Sequence, residues 1–116
     1  MRVVKMLFVM LFFADVAFGQ NLPVRIALSP RSTVPTAVVA NGIDKKCSGI
    51  VLTTDSSKAD YILEASETVD MRNGTDYGRI EYTLLAPSGD VLFHTSTRRY
   101  DNAMKDVCKF IGRKYY

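Results

Sequence analysis

Residues 58–93, KADYILEASETVDMRNGTDYGRIEYTLLAPSGDVLF, decide the fold. Ala59, Tyr61, Leu63 and Ala65 put apolar side chains on odd positions, whereas Ile80, Tyr82 and Leu84 put them on even ones. Alternation of this kind marks half-buried strands. Two antiparallel strands share an apolar face here only if paired residue numbers sum to an odd number. Asn73-Gly74 is the strongest two-residue hairpin signal, and pairing Arg72 with Thr75 across it gives a sum of 147. Turn chemistry and hydrophobic parity therefore agree on one register. For the next strand, with Val91 and Phe93 expected inside, pairing Leu84 with Val91 gives 175 and sets Leu85 opposite Asp90. Ala86-Pro87-Ser88-Gly89 is then a four-residue loop with Pro and Gly where a type I turn favours them.

Outward from this meander, Val24, Ile26 and Leu28 alternate with Arg25, Ala27 and Ser29 between Pro23 and Pro30, a strand with clear stops. Val39, Ala40, Ile43 and Cys47 fall at helical spacing in residues 35–47, with Thr33 as the expected cap and Pro35 in the first turn. Asn41-Gly42 inside that segment weakens it, since Gly costs about 1 kcal/mol against Ala. Residues 50–53 read as a short strand and residues 54–58 as a polar turn. A last helix over about 101–112 carries Met104, Val107, Cys108 and Ile111 along one side, with Asp101 as the expected cap. The order β-α-β-β-β-β-α predicts an α+β domain: one mixed sheet of about five strands, with two helices packed on one face. A crossover through the first helix makes the first two strands parallel.

The N-terminus reads differently. Arg2 and Lys5 precede an apolar run from Met6 to Ala14, and Ala17-Phe18-Gly19 offers small residues for cleavage. The expectation is a secretory signal over residues 1–19 and a single domain over 20–116 beginning at Gln20, secreted or periplasmic, with no stable transmembrane anchor after cleavage. In an oxidising compartment Cys47 and Cys108 are most simply one disulfide, closing a loop worth roughly 4 kcal/mol. With both helices on one sheet face, the end of the first and the middle of the second come within bonding range.

Composition excludes several classes of site. Of 15 basic and 12 acidic side chains, Arg2, Lys5 and Asp15 lie in the leader, so residues 20–116 hold 13 and 11, a balance of +2. One His, two Cys and no Trp exclude multi-histidine metal sites, four-cysteine zinc sites and CxxCH haem attachment, and no cofactor is implied. On the outward sheet face the expected register sets Glu81 between Ser66 and His94. A catalytic triad needs the histidine in the middle, so a plain cross-strand Glu81–His94 pair is expected and no catalytic set. Glu64, Glu67 and Glu81 read as solvated strand charges, and Asn73-Gly74-Thr75, though a glycosylation sequon, as a turn. Arg98-Arg99-Tyr100 and Arg113-Lys114-Tyr115-Tyr116 interleave basic and aromatic residues, but a balance of +2 argues against nucleic acid.

One outward feature stands apart. The parity puts Ile62 opposite Leu85 with Leu92 close by, an apolar cluster bordered by Glu64, Thr83, His94 and Arg98. Such a cluster suits a partner patch of Ile62, Leu85, Leu92 and His94, or a seat for a terminal segment such as Tyr115 and Tyr116.

Lys58-Ala59-Asp60-Tyr61-Ile62-Leu63, followed by Ser88-Gly89-Asp90-Val91-Leu92-Phe93, resembles the pattern of small bacterial envelope domains, the TolB N-terminal-like and CsgG-like α+β modules. The resemblance covers roughly residues 24–112 and implies a non-catalytic module that binds other proteins at the cell envelope. This chain lacks the lipid-attachment cysteine of that pattern. The expected function is thus an exported protein-interaction domain with an unknown protein partner. The alternatives are a small secreted enzyme using Cys108 or His94, or a secreted inhibitor.

Overall fold

A computed structural model of the chain describes residues 22–72 and 75–116. The leader with its cleavage site and the Asn73-Gly74 turn with its sequon lie outside the described residues. Strands β1 (Val24–Leu28), β2 (Ile50–Thr53), β3 (Tyr61–Arg72), β4 (Thr75–Leu85) and β5 (Val91–Thr97) are interleaved with helices α1 (Thr36–Lys46) and α2 (Tyr100–Ile111). They form one five-stranded mixed sheet in the order β2-β1-β3-β4-β5. β1 runs parallel to both neighbours, β2 and β3, and β3-β4-β5 is the antiparallel meander. The α+β architecture is as the periodicity predicts, with two helices packed on the sheet.

The β3–β4 ladder follows the expected register from Ile62↔Leu85 to Arg72↔Thr75 without interruption. The β4–β5 ladder does not follow its expected register. Leu84 pairs with Phe93 and Glu81 with Ser96, a sum of 177 in place of 175. Two one-residue irregularities make the difference. At the hairpin end Gly89 N–H donates to Ala86 O and Ala86 N–H to Asp90 O, both at 2.8 Å, and Gly89 takes φ 99°. That is a type I turn closed by a glycine in the left-handed region, where a side chain would be strained. The second irregularity sets Leu85 against Val91 while Leu84 meets Phe93, so one extra residue, Leu92, sits in β5 as a bulge. The two shifts together preserve parity, so Leu84 and Phe93 still face the core. Val91 does not: it is 64% exposed, which corrects its expected place inside.

The helix starts also differ from expectation. α1 begins at Thr36 with Pro35 as its cap residue and no side-chain cap bond. Thr33 does other work: its Oγ1 accepts from Glu67 N–H at 3.0 Å. Ser32 Oγ accepts from Ala65 N–H at 3.0 Å, and the N–H groups of Thr33 and Val34 donate to Ala65 O. The loop after β1 therefore continues the pairing of β3 with hydroxyls in place of a regular ladder, and it buries Val34, a core residue that no periodicity marks. α2 begins at Tyr100 with Arg99 as cap residue; Asp101 lies inside the first turn, where its charge still favours the helix dipole. The turn over residues 54–58 contains a single 3-10 turn, Ser56–Lys58, capped by Asp55, whose Oδ1 accepts from Ser57 N–H.

Both helices face one apolar layer. Ile26, Leu63, Ala65, Ile80, Tyr82 and Leu84 from the sheet meet Val39 and Ile43 of α1 and Ala103, Met104, Val107 and Cys108 of α2. Cys47 and Cys108 form the expected disulfide, with Cα atoms 6.0 Å apart. Gly42, which weakens α1 as an isolated helix, has a packing reason: a Cβ there would lie 3.3 Å from Met104 Cβ. Without a side chain at 42 the two helices approach closely. Gly42→Leu is expected to destabilise the domain by about 2 kcal/mol through overpacking, measured as a urea midpoint; an unchanged midpoint would show that the helices can separate freely.

Candidate functional site

Strand alternation assigns the sheet face away from the helices. Ile26, Leu63, Tyr82 and Leu84 point to the core, so Ala27, Ile62 and Leu85, which are paired in sequence as Ala27↔Ile62↔Leu85, point outward. The bulge brings Val91 and Leu92 beside Leu85 at the end of this row. An apolar row thus crosses from β1 to β5; Ala27 at its β1 end is only 3% exposed, so the accessible part runs from Ile62 to Leu92. Ile62 and Leu85 are half-buried, while Leu92 is 42% and Val91 64% exposed. Sequence reasoning placed Ile62, Leu85 and Leu92 correctly relative to one another but omitted Val91. The signal for it was Gly89, whose position after Pro87-Ser88 fits a three-residue loop as well as a four-residue one.

The expected alternative seat for Tyr115 and Tyr116 is not on this face. Tyr115 pairs with Cys47, Tyr116 N–H donates to Lys46 O at 2.8 Å, and Ser48 N–H donates to Lys114 O at 2.9 Å. The C-terminal segment lies along the end of α1, and among the described residues Val91 and Leu92 of the apolar row stay 64% and 42% exposed.

Beside the row runs a polar one, Glu64↔Thr83↔His94. His94 is therefore the partner of Thr83, not of Glu81 as the expected register had it. Its Nδ1 is 2.9 Å from Thr83 Oγ1, and its Nε2 lies diagonally, 3.9 Å from Glu81 Oε1. Ser66 Oγ donates to the Glu81 carbonyl oxygen at 3.4 Å and does not approach the imidazole. A hydroxyl, an imidazole and a carboxylate do fall in the order Thr83, His94, Glu81, but on an open face with the His94 side chain 49% exposed. The β4 amides beneath are committed to the ladders on both sides. Stabilising an oxyanion needs preorganised donors in a site that excludes water, and this face supplies neither. What the arrangement offers chemically is an apolar strip with a hydrogen-bonding, partly acidic border.

Among the described residues, clefts lie at both ends of the sheet. One, between the loops after β1 and β2, is lined by Ser29, Ser32, Thr33, Thr53, Thr54 and Ser56 among others. Four of those hydroxyl oxygens already accept backbone N–H bonds that shape the loops. The other, at the opposite end, is lined by Arg25, Lys58, Asp60, Arg113 and Leu92 among others, so it adjoins the apolar row. Among the described residues no group of His, Cys, Asp and Glu could hold a metal ion, and no helix is long and apolar enough to cross a membrane.

No family model, no curated protein and no solved structure matches this chain.

Proposed function

We propose that the chain is an exported, disulfide-bonded domain that binds another protein through the outward face of its sheet, with Ile62, Leu85, Val91 and Leu92 as the contact row. The observation that carries this reading is the uncovered apolar row, bordered by Glu64, Thr83 and His94. Apolar surface ringed by polar groups is the usual anatomy of a protein-binding patch. The apolar leader and the disulfide point together to a secretory or periplasmic setting, and the motifs similar to envelope modules point the same way. A thiol enzyme would need Cys108 free, whereas Cys108 is bonded to Cys47 and fully buried.

Leu85→Glu and Leu92→Glu are each expected to weaken partner capture about tenfold or more, as charges do in an interface core, with circular dichroism and the disulfide unchanged. Unchanged capture would remove the outward face from consideration. Intact mass of the exported protein tests the setting: it should begin at Gln20, with two thiols reactive only after reduction. An uncleaved chain or free thiols would overturn the export reading.

A further inference from the structure

The nearly balanced charge of residues 20–116 conceals a strong asymmetry in space. Lys45 and Lys46 form the last turn of α1, Lys105 and Lys109 lie on α2, and Arg113 and Lys114 follow it. The disulfide ties the residue after Lys46 to the residue before Lys109. Tyr116 N–H bonds to Lys46 O, and Ser48 N–H to Lys114 O. Six cationic side chains therefore gather at one pole, where both helices end, and those stretches hold two acidic residues, Asp44 and Asp106, the second of which accepts a hydrogen bond from Thr95 Oγ1. The rest of residues 20–116 holds the other 7 basic and 9 acidic side chains. The pole carries four net positive charges and the remainder two net negative ones.

Lysines at helix C-termini offset the helix dipole, which is the ordinary reason to find them there. Two helix ends account for about one unit of negative charge between them, and Arg113 is engaged by Leu22 O, so the five lysines, less Asp44 and Asp106, leave about two positive charges beyond what the helix ends offset. Two tyrosines stand among them. Lys105 Nζ lies 5.4 Å from the centre of the Tyr115 ring and Lys114 Nζ 5.6 Å from that of Tyr116, and the residues are 40% and 59% exposed. One face of each ring is thus occupied by an ammonium, which disfavours base stacking. Exposed phenol rings set beside lysines suit the headgroup layer of a bilayer, where Tyr rings rest at the boundary and lysine stems lie along apolar surface with the charge in water.

We propose that this basic, tyrosine-bearing pole docks the domain onto an anionic phospholipid surface. It lies where the two helices end, and the inference stands whether or not the outward apolar row binds a protein. The uneven charge orients the molecule before contact, since its negative remainder is repelled by the same surface.

Sedimentation of the disulfide-bonded domain with phosphatidylcholine vesicles, with and without phosphatidylglycerol, tests this. Partition is expected only with phosphatidylglycerol and only at low salt. Each cation near such a surface is worth about fivefold in partitioning, so Lys45→Gln with Lys109→Gln should lose about twenty-fivefold. Arg98→Gln with Arg99→Gln, at the other end of α2, should lose little. Equal binding to both vesicle types, equal loss in the two double variants, or binding to a single-stranded oligonucleotide with none to vesicles would each overturn the proposal.

Discussion

Replacing both cysteines, Cys47→Ala with Cys108→Ala, is expected to cost about 4 kcal/mol of unfolding free energy and to lower the melting temperature by about 15 to 30 °C. The two positions are 61 residues apart, so opening the bond releases a long loop in the unfolded chain. Small domains have total stabilities of about 5 to 15 kcal/mol, so a large part of the margin goes with it. The native state loses something too: both cysteines are buried, Cys108 completely, at the place where α1 and α2 meet. Urea and thermal melts of the double variant against the parent chain measure the effect. A loss below about 1 kcal/mol would mean that the Gly42–Met104 approach holds the helices together unaided and that the unfolded chain is already compact.

Tyr82 gives the second large effect. It is the largest of the fully buried side chains, on a strand with neighbours on both sides, where it pairs with Ala65 and Thr95. Tyr82→Ala should cost about 3 to 5 kcal/mol. Tyr82→Phe separates packing from ionisation. Burial, with Tyr100 and Asp101 adding negative charge nearby, pushes the Tyr82 phenol up to about 12. A group whose neutral form the fold prefers stabilises it fully below the unfolded value near 10, and this contribution is lost as pH rises through the folded value. The stability of the parent chain should therefore fall by roughly 2 to 3 kcal/mol between about pH 10 and 12 beyond what its lysines cause. Tyr82→Phe should lack that extra fall. Tyr100 is raised as well, by its hydrogen bond to Glu67, and remains in both proteins. Identical alkaline profiles would place the Tyr82 hydroxyl in contact with water.

The β3–β4 register was legible because two independent signals, the Asn-Gly dipeptide and the parity of the apolar positions, had to agree. The β4–β5 register was half legible for the same reason: parity survives a shift of two residues, so the buried face was readable while the partners were not. A bulge reverses the alternation beyond it, and only Val91 lies beyond this one in β5, so Val91 was assigned to the wrong face, while the net shift of two gave His94 the wrong neighbour. Val34 escaped notice because a loop, not a strand or helix, carries it inward. Of the candidate patch, Ile62 and Leu85 followed directly from the sum of 147. The basic pole was hidden for a different reason. Its charges are divided between residues 45–46 and 105–114, and only the disulfide and the C-terminal segment's pairing with residues 46–48 bring them together.

The position of β1 has a consequence for how the chain assembles. It is the earliest strand among the described residues, yet both of its ladders belong to later segments: Ile26 pairs with Leu52 on one side and Tyr61 on the other. The hairpin of β3 and β4 closes across neighbours as near as Arg72 and Thr75, at small loop-closure cost, whereas β1 waits for two distant partners. A chain emerging from its N-terminus thus presents Val24–Leu28 with both edges unpaired until residue 53 has followed, and with one edge still open until residue 63 has. For that interval the segment that ends in the middle of the sheet is a template, at first double-edged, for association with other chains.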